Sequence, residues 1–151
     1  MRKFERELKM EIVDRLTVLD YLVVKWPAFV RDALALPEAQ RAAWLHRQGY
    51  ARMADLLAHV AAWWRLGMQV IEHHRTDAEY QHPPMDVDAF NLAVVTRVSG
   101  LSEAEVVADF NTARENLVAF VNGLSDAELA NPKINRQLYI EVIEHLHEHE
   151  G

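Results

Sequence analysis

Cysteine is absent from the 151 residues, which excludes disulfides, thiolate nucleophiles and cysteine-ligated zinc or iron–sulfur centres. Any metal would have to be held by histidine and carboxylate alone. Glycine and proline are scarce, five of each, below the usual combined share of about 12%. Neither gathers into the runs of a linker or a collagen, and no repeat marks a solenoid. No apolar run approaches the ~20 residues that cross a bilayer, and the opening MRKFERELK lacks the apolar stretch of a secretory signal. Basic residues are in the minority, 16 against 23 acidic ones, for a formal charge of −7. Arg and Lys are scattered singly, so a phosphate backbone would meet a repelling surface. These absences argue against nucleic-acid binding and membrane spanning and point to a soluble, cytoplasmic protein. Its length suits one domain, 1–151, able to bury roughly 68–70% of its unfolded surface.

Half the residues are apolar, and their spacing is helical. Ile12, Leu16, Leu19, Val23, Trp26, Val30 and Ala33 step alternately by four and three, the period of a one-sided helix. The seam passes through Pro27, which has no N–H to donate and should bend the helix. One bent helix over about 4–35, ending near Pro37, and two helices meeting at the proline both fit. A second helix starts around Tyr50 to Met53 and reaches about His74, its buried side marked by Met53, Leu56, Val60, Trp63, Trp64, Gly67, Val70 and Ile71. The polar stretch from Arg75 to Asp88 carries Pro83–Pro84 and reads as a loop; a short helix from Ala89 to Val98 follows.

Ser102 with Glu105, and Ser125 with Glu128, have the S-x-x-E spacing of capping boxes. The first opens a third long helix with a seam of Val106, Phe110, Ala113, Leu117, Phe120 and Leu124. The second opens a short turn limited by Pro132. A fourth long helix runs from about Arg136 to the end, with Leu138, Tyr139, Val142, Ile143 and Leu146 on its apolar side. No segment alternates with a period of two. The predicted fold is an all-α four-helix bundle.

Histidine is abundant, eight in the chain. His145 and His149 stand four apart, so they share a helix face about 5–6 Å apart. His147 points roughly 160° away, at 100° per residue. Both members of the pair edge the apolar face centred near Leu146. His59 takes a comparable edge position on the second helix, with Trp63 one turn on. Three neutral imidazoles make an open ligand set for zinc, nickel or iron, and Asp55 and Glu144 are candidates to orient the rings. Taken singly, each of these histidines also fits a plain hydrogen-bonded or helix-terminal role. His73 and His74 lie near 22 Å from His59 at 1.5 Å per residue, too far to join it; they and His82 read as solvated. His59 opens its helix and the pair closes another, so they meet only if those helices are antiparallel. A simple up-down-up-down order would separate them. The 14 residues from Arg75 to Asp88 can span about 46 Å, more than the roughly 33 Å of the second helix, so a crossover before the third long helix is feasible.

The stretch Gly49-Tyr50-Ala51-Arg52-Met53-Ala54-Asp55-Leu56-Leu57-Ala58-His59-Val60-Ala61-Ala62-Trp63 resembles the opening of the second helix in DinB/YfiT-like four-helix bundles. Asp86-Val87-Asp88-Ala89-Phe90-Asn91 and Leu101-Ser102-Glu103-Ala104-Glu105-Val106 resemble the ClbS/DfsB-like branch. His145-Leu146-His147-Glu148-His149 is similar to the H-x-x-x-H of that family's last helix. The resemblance implies an up-down-down-up topology with a long crossover between helices two and three. It also implies a divalent metal on His59, His145 and His149. Activities in the family include thiol transfer, maleylpyruvate isomerisation and, in the ClbS branch, hydrolytic opening of a cyclopropane. The expected function is thus a metal-dependent hydrolase or thiol transferase acting on an electrophilic small molecule, with Trp63, Trp64, Tyr139 and Met68 around an apolar pocket. A metal-free pocket protein using His59 and Tyr139 is the alternative, and a non-catalytic bundle forming a homodimer is the third.

Overall fold

The computed structural model describes residues 12–151; the part of the expected first helix before residue 12 lies outside them. Seven helices and no strand occur among the described residues. Helix α1 covers residues 15–35 as three continuous stretches, Arg15–Asp20, a π turn at Tyr21–Lys25, and Trp26–Ala35. Then come α2 (Glu38–Gln48), α3 (Met53–Thr76), α4 (Val87–Arg97), α5 (Glu103–Gly123) and α6 (Asp126–Ala130). Helix α7 covers residues 132–150, from Pro132–Leu138 through a π turn at Tyr139–Glu144 to His145–Glu150. No helix among the described residues is long and apolar enough to cross a membrane.

Among the described residues this helix begins at Arg15, where the Asp14 carboxylate accepts the Thr17 N–H and caps it. Pro27 neither breaks nor ends it. The wide turn just ahead, in which the Trp26 N–H reaches back to the Tyr21 carbonyl, takes up the register change that the missing proline N–H demands. That turn also corrects the expected seam. Trp26, Val30 and Ala33 are buried, but Ile12, Leu16 and Val23 are 51, 77 and 52% exposed. Leu19 is half-buried against the core, and Val18 and Leu22 are fully buried in place of the exposed three. Inserting one residue into the turn rotates everything before it by about one position, so the 4-3 spacing of the sequence points the wrong way upstream of the π turn.

Helix α2 is absent from the sequence-based expectation. Pro37 stands at its N-cap and Gly49 closes it in a left-handed conformation, φ 89°, the one positive φ among the described residues and a backbone state that favours glycine. At Ser102 the hydroxyl accepts the Glu105 N–H, while at Ser125 both bonds of a capping box are made. Pro132 begins α7 instead of merely limiting the turn before it, its fixed φ and missing donor suiting the first helical position. On α5 the buried position near the end is Val121, with Phe120 half-buried.

Contacts between helices fix which ends meet. At the start of α3 the Arg52 guanidinium donates to the carbonyls of Val98 and Leu101, ahead of α5. Midway Arg65 pairs with Asp109, and at the end Arg75 pairs with Glu128. Positions climbing α3 meet positions descending α7: His59 faces His145, Trp64 donates to the Glu141 carbonyl, and Lys133 reaches the Ala78 carbonyl. Val13 and Asn135 exchange two hydrogen bonds where α1 and α7 begin, and Trp26 donates to Val142 further along both. The core between them centres on Trp26, Trp64 and Phe110, with ring centroids 5.0 to 6.4 Å apart.

Of the histidines expected to be solvated, His73 and His82 are exposed and His74 is half-buried, and all three contact one tyrosine of the crossover. Tyr80 stacks on His73 at 4.4 Å, meets His74 edge-on and hydrogen-bonds His82 at 3.0 Å. This cluster holds the turn after α3 against the helix end.

Candidate metal centre

His59 lies in the second turn of α3, and His145 and His149 lie one turn apart in the last stretch of α7. All three are 7 or 8% exposed, and a nitrogen from each lies within 4.8 Å of the other two. The ring centroids are 4.8 to 5.4 Å apart. His147 is exposed and turned away, bonded to Tyr21 Oη and to the Glu150 carboxylate. This group of three buried imidazoles could hold a metal ion.

Each ring has its outer nitrogen on a neutral oxygen. His59 Nδ1 is 3.1 Å from Asn91 Oδ1, and His149 Nδ1 is 2.9 Å from Gln48 Oε1. The His145 ring bonds the Glu141 backbone with the nitrogen that does not face His59. Those oxygens only accept, so each imidazole donates outward and turns a bare lone pair inward. Two of the inward atoms, His59 Nε2 and His145 Nε2, stand 3.1 Å apart. The third, His149 Nε2, is buried without a partner. Three acceptors facing one another with no donor among them is an unfavourable arrangement unless a proton or a cation enters.

A proton is poorly suited. Burial lowers His59 to about 4; burial and the neighbouring His59 lower His149 to about 4; burial, His149 and His59 lower His145 to about 3. Near neutral pH all three are uncharged, the state in which imidazole binds metal. A tetrahedral ion with bonds of about 2.0–2.1 Å keeps its nitrogen ligands roughly 3.3 Å apart, close to the observed spacing of the first pair. The donor set and the unpartnered nitrogen therefore fit a divalent ion.

The expected orienting carboxylates take no part. Asp55 is buried but bound to Arg52 at 2.8 Å; four residues before His59, it occupies the preceding turn, where the guanidinium reaches it. Glu144 is half-buried with no hydrogen bond to the triad among the described residues. Of the expected pocket residues, Trp63 flanks His59 edge-on at 6.3 Å and packs on Phe90 at 4.8 Å. Trp64 is a core residue, fully buried, with its indole on the Glu141 carbonyl. At 100° per residue it projects about 140° from His59, and Met68 about 180°, where Trp63 projects only 40°. Tyr139 is half-buried against the core, six residues before His145 and without a ring contact to the triad.

Residues not foreseen do the holding: Gln48 from α2, Asn91 from α4, and Tyr50, whose ring lies 5.4 Å from His59. Burial and then Asp55 push the Tyr50 phenol up to about 12, so it keeps its proton. The Pro37 and Gly49 bracket could have announced α2; nothing in the sequence announces that Gln48 meets His149 across 101 positions. Glu141, another unforeseen group, packs its carboxylate against Gly67 and leaves Oε2 buried and unpartnered.

The π turn at Tyr139–Glu144 ends at His145, whose N–H bonds the Ile140 carbonyl. Within it the carbonyls of Glu141 and Val142 accept the buried indole N–H groups of Trp64 and Trp26. The two largest core side chains thereby clamp the backbone immediately ahead of the ligand pair. Compared with protein-family models, with curated proteins and with solved structures, the chain matches none.

Proposed function

We propose that the protein is a metal-dependent enzyme acting on an electrophilic small molecule, with zinc, nickel or iron held by His59, His145 and His149. It would be a hydrolase or thiol transferase of the DinB/YfiT-like kind, closest to the ClbS/DfsB-like branch. The observation that carries this reading is the set of three buried, uncharged imidazoles, each donating outward, with their inner lone pairs converging and one of them unpartnered. A metal-free pocket protein would leave that convergence without a purpose.

When bound, the ion supplies a Lewis acid that lowers the pKa of a water or thiol. The chain's own residues do the rest. Asn91, Gln48 and the Glu141 carbonyl fix the three rings. Tyr50 and Trp63 flank His59 and keep that side of the site apolar. The outer partners of the three rings are neutral, so the site would leave the charge of a bound ion uncompensated and would suit an anionic group on the substrate. The same reading takes the four long helices, α1, α3, α5 and α7, as an up-down-down-up bundle. Its support is that α3 and α5 meet start to start and end to end, while α3 and α7 meet start to end.

The test is metal content. Chelator-stripped protein reloaded with zinc should hold one ion per chain, and His59→Ala or His145→Ala should hold none tightly. Unchanged stoichiometry in both variants would remove the proposal.

A further inference from the structure

We infer that Trp63 is a positioning residue for the triad: its indole N–H fixes the side-chain amide of Asn91, and that amide fixes which nitrogen of His59 carries the proton. The inference rests on the metal reading only for one of its two readouts.

The chain of reasoning starts from what an indole can do. Its N–H donates and never accepts. Trp63 Nε1 lies 2.8 Å from Asn91 Oδ1, and turning the amide over would set its NH2 against that N–H. The oxygen end must therefore face Trp63. The same oxygen is 3.1 Å from His59 Nδ1, so His59 has to donate from Nδ1, and Nε2 is left as the bare atom facing His145 at 3.1 Å. A second hydrogen bond to one atom of Asn91 thus decides the state of a ring that Trp63 touches only edge-on.

Without the indole N–H, the amide is free to turn by 180° and offer its NH2 to His59 Nδ1. That nitrogen would then accept, the proton would sit on Nε2, and the ligand atom would be blocked. The relay has no counterpart at His145. His145 is held by a backbone carbonyl, which cannot turn over. Helix geometry makes the relay feasible: Trp63 follows His59 by four residues, so the two side chains leave α3 on nearly the same side. Asn91 comes from α4, beside Phe90, whose ring rests on Trp63 at 4.8 Å. The helix after the crossover thereby controls a ligand on α3.

Two readouts test this on the full chain. In metal-free, chelator-treated protein labelled with nitrogen-15, long-range proton–nitrogen spectra report the His59 tautomer, assigned by comparison with His59→Gln. Wild type should be protonated on Nδ1. Trp63→Phe keeps an aromatic ring against Phe90 but removes the donor, and it should give a mixture of tautomers with zinc affinity reduced about 10–100-fold. Adding Asn91→Asp to that variant should restore Nδ1 protonation and bring zinc affinity to within about threefold of wild type, because a carboxylate has only acceptors to offer. A role of Trp63 in packing alone would not be rescued in this way. Trp63→Phe with an unchanged tautomer, or a double variant that stays mixed, overturns the inference. If wild type binds no zinc, the metal reading fails while the tautomer spectra still decide the relay.

Discussion

Replacing Glu141 by glutamine should remove a specific pH dependence of stability. The carboxylate is 7% exposed, leaves Oε2 without a partner and sits against Gly67. Burial, and next the charge of Glu148, push it up to about 8 from an ordinary 4.5. The folded protein consequently keeps a proton to higher pH than the unfolded chain does. Its stabilising effect is full below pH 4.5 and is lost as pH rises through 8. A difference of one bound proton gives a slope of about 1.4 kcal/mol per pH unit. Allowing for the native group's own titration near 8, wild type should lose about 1.5 kcal/mol between pH 6.5 and 8 through this residue. The triad works in the opposite sense: pKa values of about 3 to 4 in the fold make stability rise with pH up to about 6.5, equally in both proteins. The histidines therefore cancel when Glu141→Gln is compared with wild type. Urea unfolding of metal-free protein, followed by tryptophan fluorescence at several pH values, measures the difference. A gap between the two proteins that stays constant from pH 6.5 to 8 would refute the reasoning.

Zinc affinity should change less than about tenfold between pH 7.5 and 5.5, because the buried imidazoles stay neutral over that range; three ordinary histidines would cost about a thousandfold, and competition titrations separate the two. Gly67→Ala places a Cβ 2.9 Å from Glu141 Cγ. Overpacking of about 1–3 kcal/mol should outweigh the roughly 1 kcal/mol of helix propensity gained. In a Glu141→Ala background the same change should become stabilising, as chemical denaturation would show. Ser125→Ala removes the hydroxyl that accepts the Glu128 N–H, while the backbone N–H of residue 125 keeps its bond to the Glu128 carboxylate; it should cost about 1 kcal/mol, with no effect on zinc stoichiometry.

Helical phase is where the sequence and the structure part. A 4-3 spacing assumes one uniform helical turn. Ile12, Leu16 and Val23 satisfy it and are exposed, since the π turn at Tyr21–Lys25 adds a residue that no hydrophobic pattern encodes. Downstream of the turn, Trp26, Val30 and Ala33 obey the pattern and are buried. On α3, which has no such turn, the positions expected inside are inside, with Trp63 half-exposed at the rim. The orienting groups were illegible for another reason. Asp55 and Glu144 are near the ligands along the chain, and proximity in sequence favoured them. Gln48 and Asn91 come from separate short helices, 101 and 32 residues from the rings they hold.

By itself the sequence determined the helical class, the ends marked by Ser102 and Ser125, and the histidines on the rims of two apolar faces. Those follow from local rules of period and capping, which act within a turn or two. Only the tertiary structure decided that the three rings meet, that Trp64 belongs to the core while Trp63 guards the ligands, and that neutral amides hold the rings. Those depend on how distant helices are rotated and paired, and that rotation is fixed by packing and by two widened turns.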